Sequence, residues 1–249
     1  MSHQRNPAIV EQQPGQEFAN INDAEFVICS ASALPDNINH RSILSSSFDY
    51  FKNCHYIFQH DIKYNNTDGL ASVYNNFLEK YKDRKYIIFC HDDIFIESVN
   101  FYDILKERFE KGYDVLGLAG GSRLKKEKPL LWHLATKKET HSGIVYHPHE
   151  INGEVSNLPT IFGHTPKEVA ILDGLFLAVK VKSLIDNNVR FDENLTGFHF
   201  YDIKFSIDCK KAGLKLSTVN LKVVHKSHGL SDVNNLDWHN SQNYVLDNI

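Results

Sequence analysis

The chain has 249 residues, enough for one large α/β domain or two small ones, with 42% hydrophobic and 23% charged residues, ordinary for a globular protein. A net charge of −4 excludes a general nucleic-acid binder, so an anionic ligand has to be held by a local site. Cys29, Cys54, Cys90 and Cys209 form no CxxC pair and read as reduced thiols, not as a disulfide framework or a zinc site. No apolar run has the length of a membrane span and no basic-then-apolar start marks a secretory leader, so a cytoplasmic protein is expected, with peripheral membrane contact left open.

Residues 1–24 are polar, rich in Gln and Asn and broken by Pro7, Pro14 and Gly15, which predicts a loosely attached arm. Phe26-Val27-Ile28-Cys29 is a short buried strand, and a Ser/Ala/Pro/Asn/Asp loop follows it. Ile43, Leu44, Phe48 and Phe51 recur at helical spacing over about residues 41–52. A second strand is read at 55–58, and a turn at 65–69 leads into a helix with the stripe Leu70, Val73, Phe77, Leu78, Tyr81. Tyr86-Ile87-Ile88-Phe89-Cys90 is the most strand-like run in the chain and stops at His91-Asp92-Asp93. A helix through Phe101, Ile104, Leu105 and Phe109 ends at Gly112, and Val115-Leu116-Gly117-Leu118 is a further strand.

That alternation of strand and helix implies a mostly parallel sheet flanked by helices, which binds ligands beyond the carboxyl ends of its strands. The second half is less regular. Residues 121–167 carry the basic run Arg123-Leu124-Lys125-Lys126, then Trp132-His133 and His141, His147, His149 and His164, and read as a long irregular insertion. Residues 169–181 look like a strand interrupted by Asp173-Gly174; a helix runs from near Tyr201 to Gly213; strands at 214–219 and 222–224 lead to His225. The last twenty residues are polar and read as a surface tail.

Four places carry side chains fit for chemistry. Two carboxylates following a buried strand resist joint ionisation unless a cation joins them, so His91-Asp92-Asp93 suits an oxygen-bound divalent ion; the alternative is an aspartate turn or helix cap. Asp202 opens a late helix, where it is either a general base or a charge placed against the helix dipole. His225 and His228 follow a strand and can reach one ion, or are an ordinary polar pair. Asp173-Gly174 inside an apolar run marks either a ligand approach or a structural turn. There is no P-loop, dinucleotide fingerprint, HExxH or GxSxG motif.

Taken in order, a short first strand, a strand ending in Phe89-Cys90-His91-Asp92-Asp93-Ile94, an Asp173-Gly174 interruption, Asp202 opening a helix and His225 after the last strand resemble the family 2 glycosyltransferases of the GT-A fold. The resemblance covers roughly residues 25–229. It implies a nucleotide-sugar half over 25–120, an acceptor and catalytic half over 121–229, and a tail over 230–249. It further implies a donor of nucleotide-diphosphate sugar type with UDP favoured, a glycan or lipid-linked acceptor, and Mn2+ or Mg2+ as cofactor. By the same resemblance Asp93 and His225 bind the metal, with His228 a substitute for His225. Ser30, Gln59, Asn75, His91 and Asp92 lie with the donor, Asp173, Gly174, Trp132 and His199 with the acceptor, and Asp202 is the general base of an inverting displacement. Two departures stand out: His91 replaces the first Asp of the DxD motif, and Tyr201 replaces the Glu of the Glu-Asp pair. The QxxRW motif of processive members is missing, which favours single additions. A sugar nucleotidyltransferase and a non-catalytic nucleotide- or carbohydrate-binding module are the alternatives.

Overall fold

The computed structural model describes residues 25–37, 41–54, 56, 58–226 and 235–249. The arm expected at 1–24 and His228 lie outside the described residues. In chain order the elements begin with β1 (Phe26–Ala31), α1 (Ile43–Asn53), β2 (Gln59–Lys63), α2 (Leu70–Lys80), β3 (Tyr86–Cys90), β4 (Ile94–Ile96), α3 (Phe101–Glu110) and β5 (Val115–Gly117). They continue with β6 (Ala119–Gly121), α4 (Trp132–Ala135), β7 (His141–Ile151), β8 (Glu154–Gly163), β9 (Glu168–Val169), β10 (Ile171–Leu172) and β11 (Phe176–Lys180). The last are α5 (Val181–Asp186), α6 (Tyr201–Lys211), β12 (Leu216–Thr218), β13 (Val223–His225) and α7 (Leu236–Asp247).

A seven-stranded sheet runs β2-β1-β3-β11-β5-β12-β9. β3 is buried along its whole length because helices cover both faces at the sheet centre, which is why it reads as an unbroken apolar run. β2 is the polar edge strand, and it starts where the apolar residues assigned to the second strand end. The α/β architecture is the expected one, but the sheet is mixed. β11 enters antiparallel between β3 and β5, whereas β1 pairs parallel with both β2 and β3. Nothing local in an apolar run encodes its direction, so this insertion is invisible before the fold is known.

A second sheet, β10-β6-β7-β13-β4 with β8 against β7, takes β7 and β8 from the stretch expected to be an irregular insertion. Its long β7–β8 hairpin closes through Asn152-Gly153, both at positive φ (54° and 82°), the backbone that a two-residue hairpin turn requires. That Asn-Gly pair was the available signal. β4 and β13 pair antiparallel, with His225 opposite Ile94, and this brings the last strand back beside the end of β3.

The expected C-terminal tail is instead α7, capped by Asn235, whose side chain accepts from the Asp237 N–H. Trp238, Gln242 and Val245 form a buried i, i+4, i+7 stripe inside a polar composition that conceals it. Trp238 packs edge-on against Phe200, and the Gln242 side chain accepts from the Leu130 N–H at 2.7 Å. Trp238→Ala should therefore cost about 3–5 kcal/mol of stability in urea denaturation. A loss near zero would mean that α7 is not part of the core.

Candidate metal and acid–base site

The carboxyl end of β3 delivers three consecutive polar side chains into a cleft between the two sheets. The His91 N–H is held by the Leu175 carbonyl at 3.1 Å, and the Asp92 and Asp93 carbonyls accept from the N–H groups of Leu44 and Lys226 at 3.0 Å. The backbone is thus fixed from both sides, and the side chains diverge. Asp92 turns to the loop after β1, where its carboxylate accepts from the Ser32 hydroxyl. Asp93 turns to β13, with Oδ1 3.3 Å from His225 Nε2 and 3.9 Å from His91 Nδ1.

The His91, Asp93 and His225 ligand atoms all lie within 4.8 Å of one another. Ligands about 2.1 Å from a shared ion stand roughly 3.0–3.5 Å apart; the His225–Asp93 separation of 3.3 Å meets this, and the His91–Asp93 separation of 3.9 Å is wider. Asp93 Oδ1 is buried without an aligned hydrogen bond, so its nearest positive density has to come from these rings or from a cation. Burial raises the Asp93 pKa, but the His225 contact and the nearby rings outweigh it and leave the carboxyl below its usual range. For His91 burial wins over the attraction of Asp93, which lowers its pKa and favours the neutral, ligating form. For His225 burial acts downward, but the Asp93 contact prevails and raises its pKa.

The interruption between β10 and β11 forms the opposite wall. The Gly174 N–H donates to Asp202 Oδ2 at 2.9 Å, and the Gly174 carbonyl accepts from the Tyr201 hydroxyl at 3.0 Å. A Cβ at this position would lie 2.3 Å from the Tyr201 hydroxyl, so the approach admits only glycine. The Ile203 N–H also donates to Asp202. Phe200, left-handed at φ 62° and buried against Trp238, starts α6 and aims Tyr201 and Asp202 into the cleft. Burial first, and the Asp173 charge second, push the Asp202 carboxyl up to about 7 against its two backbone donors. Asp173 accepts from the Leu175 N–H, and its charge also acts on His91, His133, His147 and His225.

Several residues read from the sequence lie elsewhere. Ser30 is fully buried within β1, and Ser32, two residues on, is the serine that reaches Asp92. Strand alternation puts both on one face, so the period was legible and the register was not. Gln59 pairs with Val27, four positions before Ala31, at the wrong end of the sheet to meet a ligand beyond the strand ends. Asn75 is spent on structure: its amide bonds the Phe191 carbonyl and Glu193, and its carbonyl oxygen accepts from the Phe191 N–H. Trp132 is 2% exposed and packed against His141, His133 and Phe162, leaving no ring face for an acceptor. His199 is half-buried beside Phe200. His91, expected with the donor, belongs to the group that could hold an ion. His147, whose Nδ1–H donates to the His225 carbonyl at 3.1 Å, and the half-buried His133 were not singled out by spacing, because the first is brought beside β13 by β7 and the second is carried by the short helix α4.

Residues 54–248 match the family described as glycosyltransferase-like. The chain belongs to this family. His91, Asp93, Asp202 and His225 fall within the matched region, and Ser32 precedes it. No curated protein matches this glycosyltransferase-like chain in sequence. Among solved structures, GalNAc-T7 with UDP, GalNAc and Mn2+ aligns with a TM-score of 0.50 at 11% identity, over 89% of this chain and 47% of that one. S. aureus TarS aligns at 0.49 and 14%, over 88% of this chain and 38% of that one. The catalytic domain of Drosophila beta1,4-galactosyltransferase 7 with xylobiose aligns at 0.46 and 14%, over 78% and 64%. This chain therefore spans less than two-thirds of the length of each of the three. At such identities the likeness to GalNAc-T7 speaks to the fold, which is of the GT-A type.

Calorimetric titration of Mn2+ into the glycosyltransferase-like chain separates the two classes of residue. Asp93→Asn and His225→Ala should weaken binding more than about 100-fold, beyond what loss of an outer partner does. Asn75→Ala should leave the affinity alone and lower stability by about 2 kcal/mol or more through unpaired Phe191 groups. The reverse pattern would return Asn75 to the ligand site.

Proposed function

We propose that this protein is a metal-dependent, inverting glycosyltransferase. It moves a sugar from a nucleotide-diphosphate sugar, UDP favoured, to a hydroxyl of a glycan or lipid-linked acceptor. Residues 25–120 handle the donor and 121–229 the acceptor. The observation that carries the reading is the convergence of a three-residue ligand set and a carboxyl poised at about 7 on one cleft beyond the end of β3. The GT-A fold and the UDP and Mn2+ of the GalNAc-T7 structure point the same way.

The donor set fits a divalent ion, since a buried carboxylate oxygen without a hydrogen bond stands between two imidazoles. Two nitrogen donors suit Mn2+ better than Mg2+, which prefers an all-oxygen shell. Held by His91, Asp93 and His225, the ion would supply positive charge for the diphosphate. Asp202 takes the proton of the acceptor hydroxyl; the hydroxyl oxygen attacks the anomeric carbon as the bond to the diphosphate breaks, and that electron pair leaves with the nucleotide. Asp92, steadied by Ser32, faces the ribose or sugar of the donor. Asp173 offers a second carboxylate for sugar hydroxyls beside the base, and His199 lines the acceptor side.

Titration of UDP, GDP and dTDP with and without Mn2+ tests the reading at its root, and nucleotide affinity that ignores the metal in every case would overturn it. Asp202→Asn should cut turnover by about 10²–10⁴-fold while donor affinity stays unchanged. Because the raised Asp202 carboxyl works only when ionised, kcat/KM should climb with pH through about 7 and level off above it. A profile flat through this range would assign the proton to another group.

A further inference from the structure

We infer that Tyr201 is a positioning residue that sets the ring tautomer of His91, so that Nδ1 turns a lone pair toward Asp93 and His225. The inference deepens the metal-site reading and rests on it for its purpose, though not for its geometry. Tyr201 is buried, and its hydroxyl lies 3.0 Å from the Gly174 carbonyl and 3.1 Å from His91 Nε2. A carbonyl can only accept, and a phenol has a single proton, so that proton goes to Gly174. The hydroxyl then meets His91 Nε2 with a lone pair, and Nε2 has to carry the N–H. A neutral imidazole has one N–H, which leaves Nδ1 bare.

Bare Nδ1 faces Asp93 Oδ1 at 3.9 Å. Two lone-pair donors turned toward each other across a buried gap repel, and a cation between them reverses the sign. The tyrosine is in turn held in place. Tyr74 packs edge-on at 5.7 Å and Phe191 lies at 6.1 Å, while the missing side chain at Gly174 leaves the hydroxyl its space. His91 and Tyr201 are the two positions at which this chain departs from the motifs it resembles. Hydrogen-bonded to each other, they act as one device: an imidazole stands where the motif has a carboxylate, and a phenol shared between His91 and the Gly174 carbonyl stands where it has the second acid.

The experiment uses the full chain. In the metal-free protein, nitrogen-15 NMR of the histidine rings, with His91 assigned by its loss in His91→Gln, should show His91 as the Nε2–H tautomer at about pH 8, where a free imidazole is neutral. Tyr201→Phe removes only the hydroxyl and should return His91 to a mixture of tautomers. The same substitution should weaken Mn2+ binding about 10–100-fold in calorimetry, the usual effect of losing an outer partner of a histidine ligand. An Nδ1–H tautomer in the unsubstituted protein overturns the inference whatever Tyr201→Phe does to folding. So does a Tyr201→Phe protein that keeps the native tautomer and Mn2+ affinity. Failure of the unsubstituted chain to bind Mn2+ is a different result: it removes the metal-site reading, while the tautomer still decides the role of Tyr201.

Discussion

A single residue, Gly174, ties the site together through its two flanking peptide groups. Its N–H binds the Asp202 carboxylate and its carbonyl binds the Tyr201 hydroxyl, so two adjacent side chains at the start of α6 grip the same residue from both sides. Through Tyr201 the grip extends to His91 at the end of β3. The ligand set and the candidate base are therefore fixed relative to one another by a chain of hydrogen bonds, not by the packing of mobile loops. The arrangement demands glycine because Tyr201 and Asp202 occupy the volume of a Cβ. It also demands the left-handed Phe200, a costly backbone state for a bulky residue, which the aromatic contact with Trp238 on α7 offsets. A helix that reads as a polar tail thus supports the geometry of the site.

The same cleft shows how carboxylates of one chemical type come to differ. Asp93 has two imidazoles for neighbours and ionises easily. Asp202 has two backbone donors but also burial and the Asp173 charge, and its proton is held more tightly. Asp92 lies between: burial raises its pKa and the Ser32 bond opposes the rise. Environment alone thus sets apart a carboxylate that holds its charge and one that holds its proton to near neutral pH, the separation that the proposed division of tasks requires.

What was legible in the sequence follows the range of the forces involved. The unbroken apolar run of β3 and the acids after it, the stripe of α2, and Asp202 at the head of α6 are local patterns, and each was readable. So was the order in which Asp93, Asp202 and His225 occur along the chain, although no spacing could say that β13 pairs beside β4 and closes the ligand set. The misplaced residues share a cause. Asn75, Gln59, Ser30 and Trp132 carry side chains that a ligand site can use, but the same hydrogen-bonding and aromatic capacity serves packing equally well. Only tertiary contacts distinguish the two uses. Asn75 illustrates this: its three bonds across more than a hundred residues to Phe191 and Glu193 leave its amide nothing to offer a donor.

Replacing the first acid of a DxD motif by His91 changes the charge as well as the donor atom. Two carboxylates cancel the charge of a divalent ion, whereas one carboxylate and two neutral imidazoles leave about one positive charge uncompensated. Under the proposed function, that surplus would act on a diphosphate bound beside the ion. With an ion bound as proposed, the departure at His91 would exchange some attraction between protein and ion for a stronger pull between ion and leaving group. The cost falls on metal affinity, where a neutral ligand is the weaker electrostatic partner. A ring already turned to present its lone pair loses less orientational freedom when the ion arrives, and the Tyr201 hydrogen bond supplies that preorganisation.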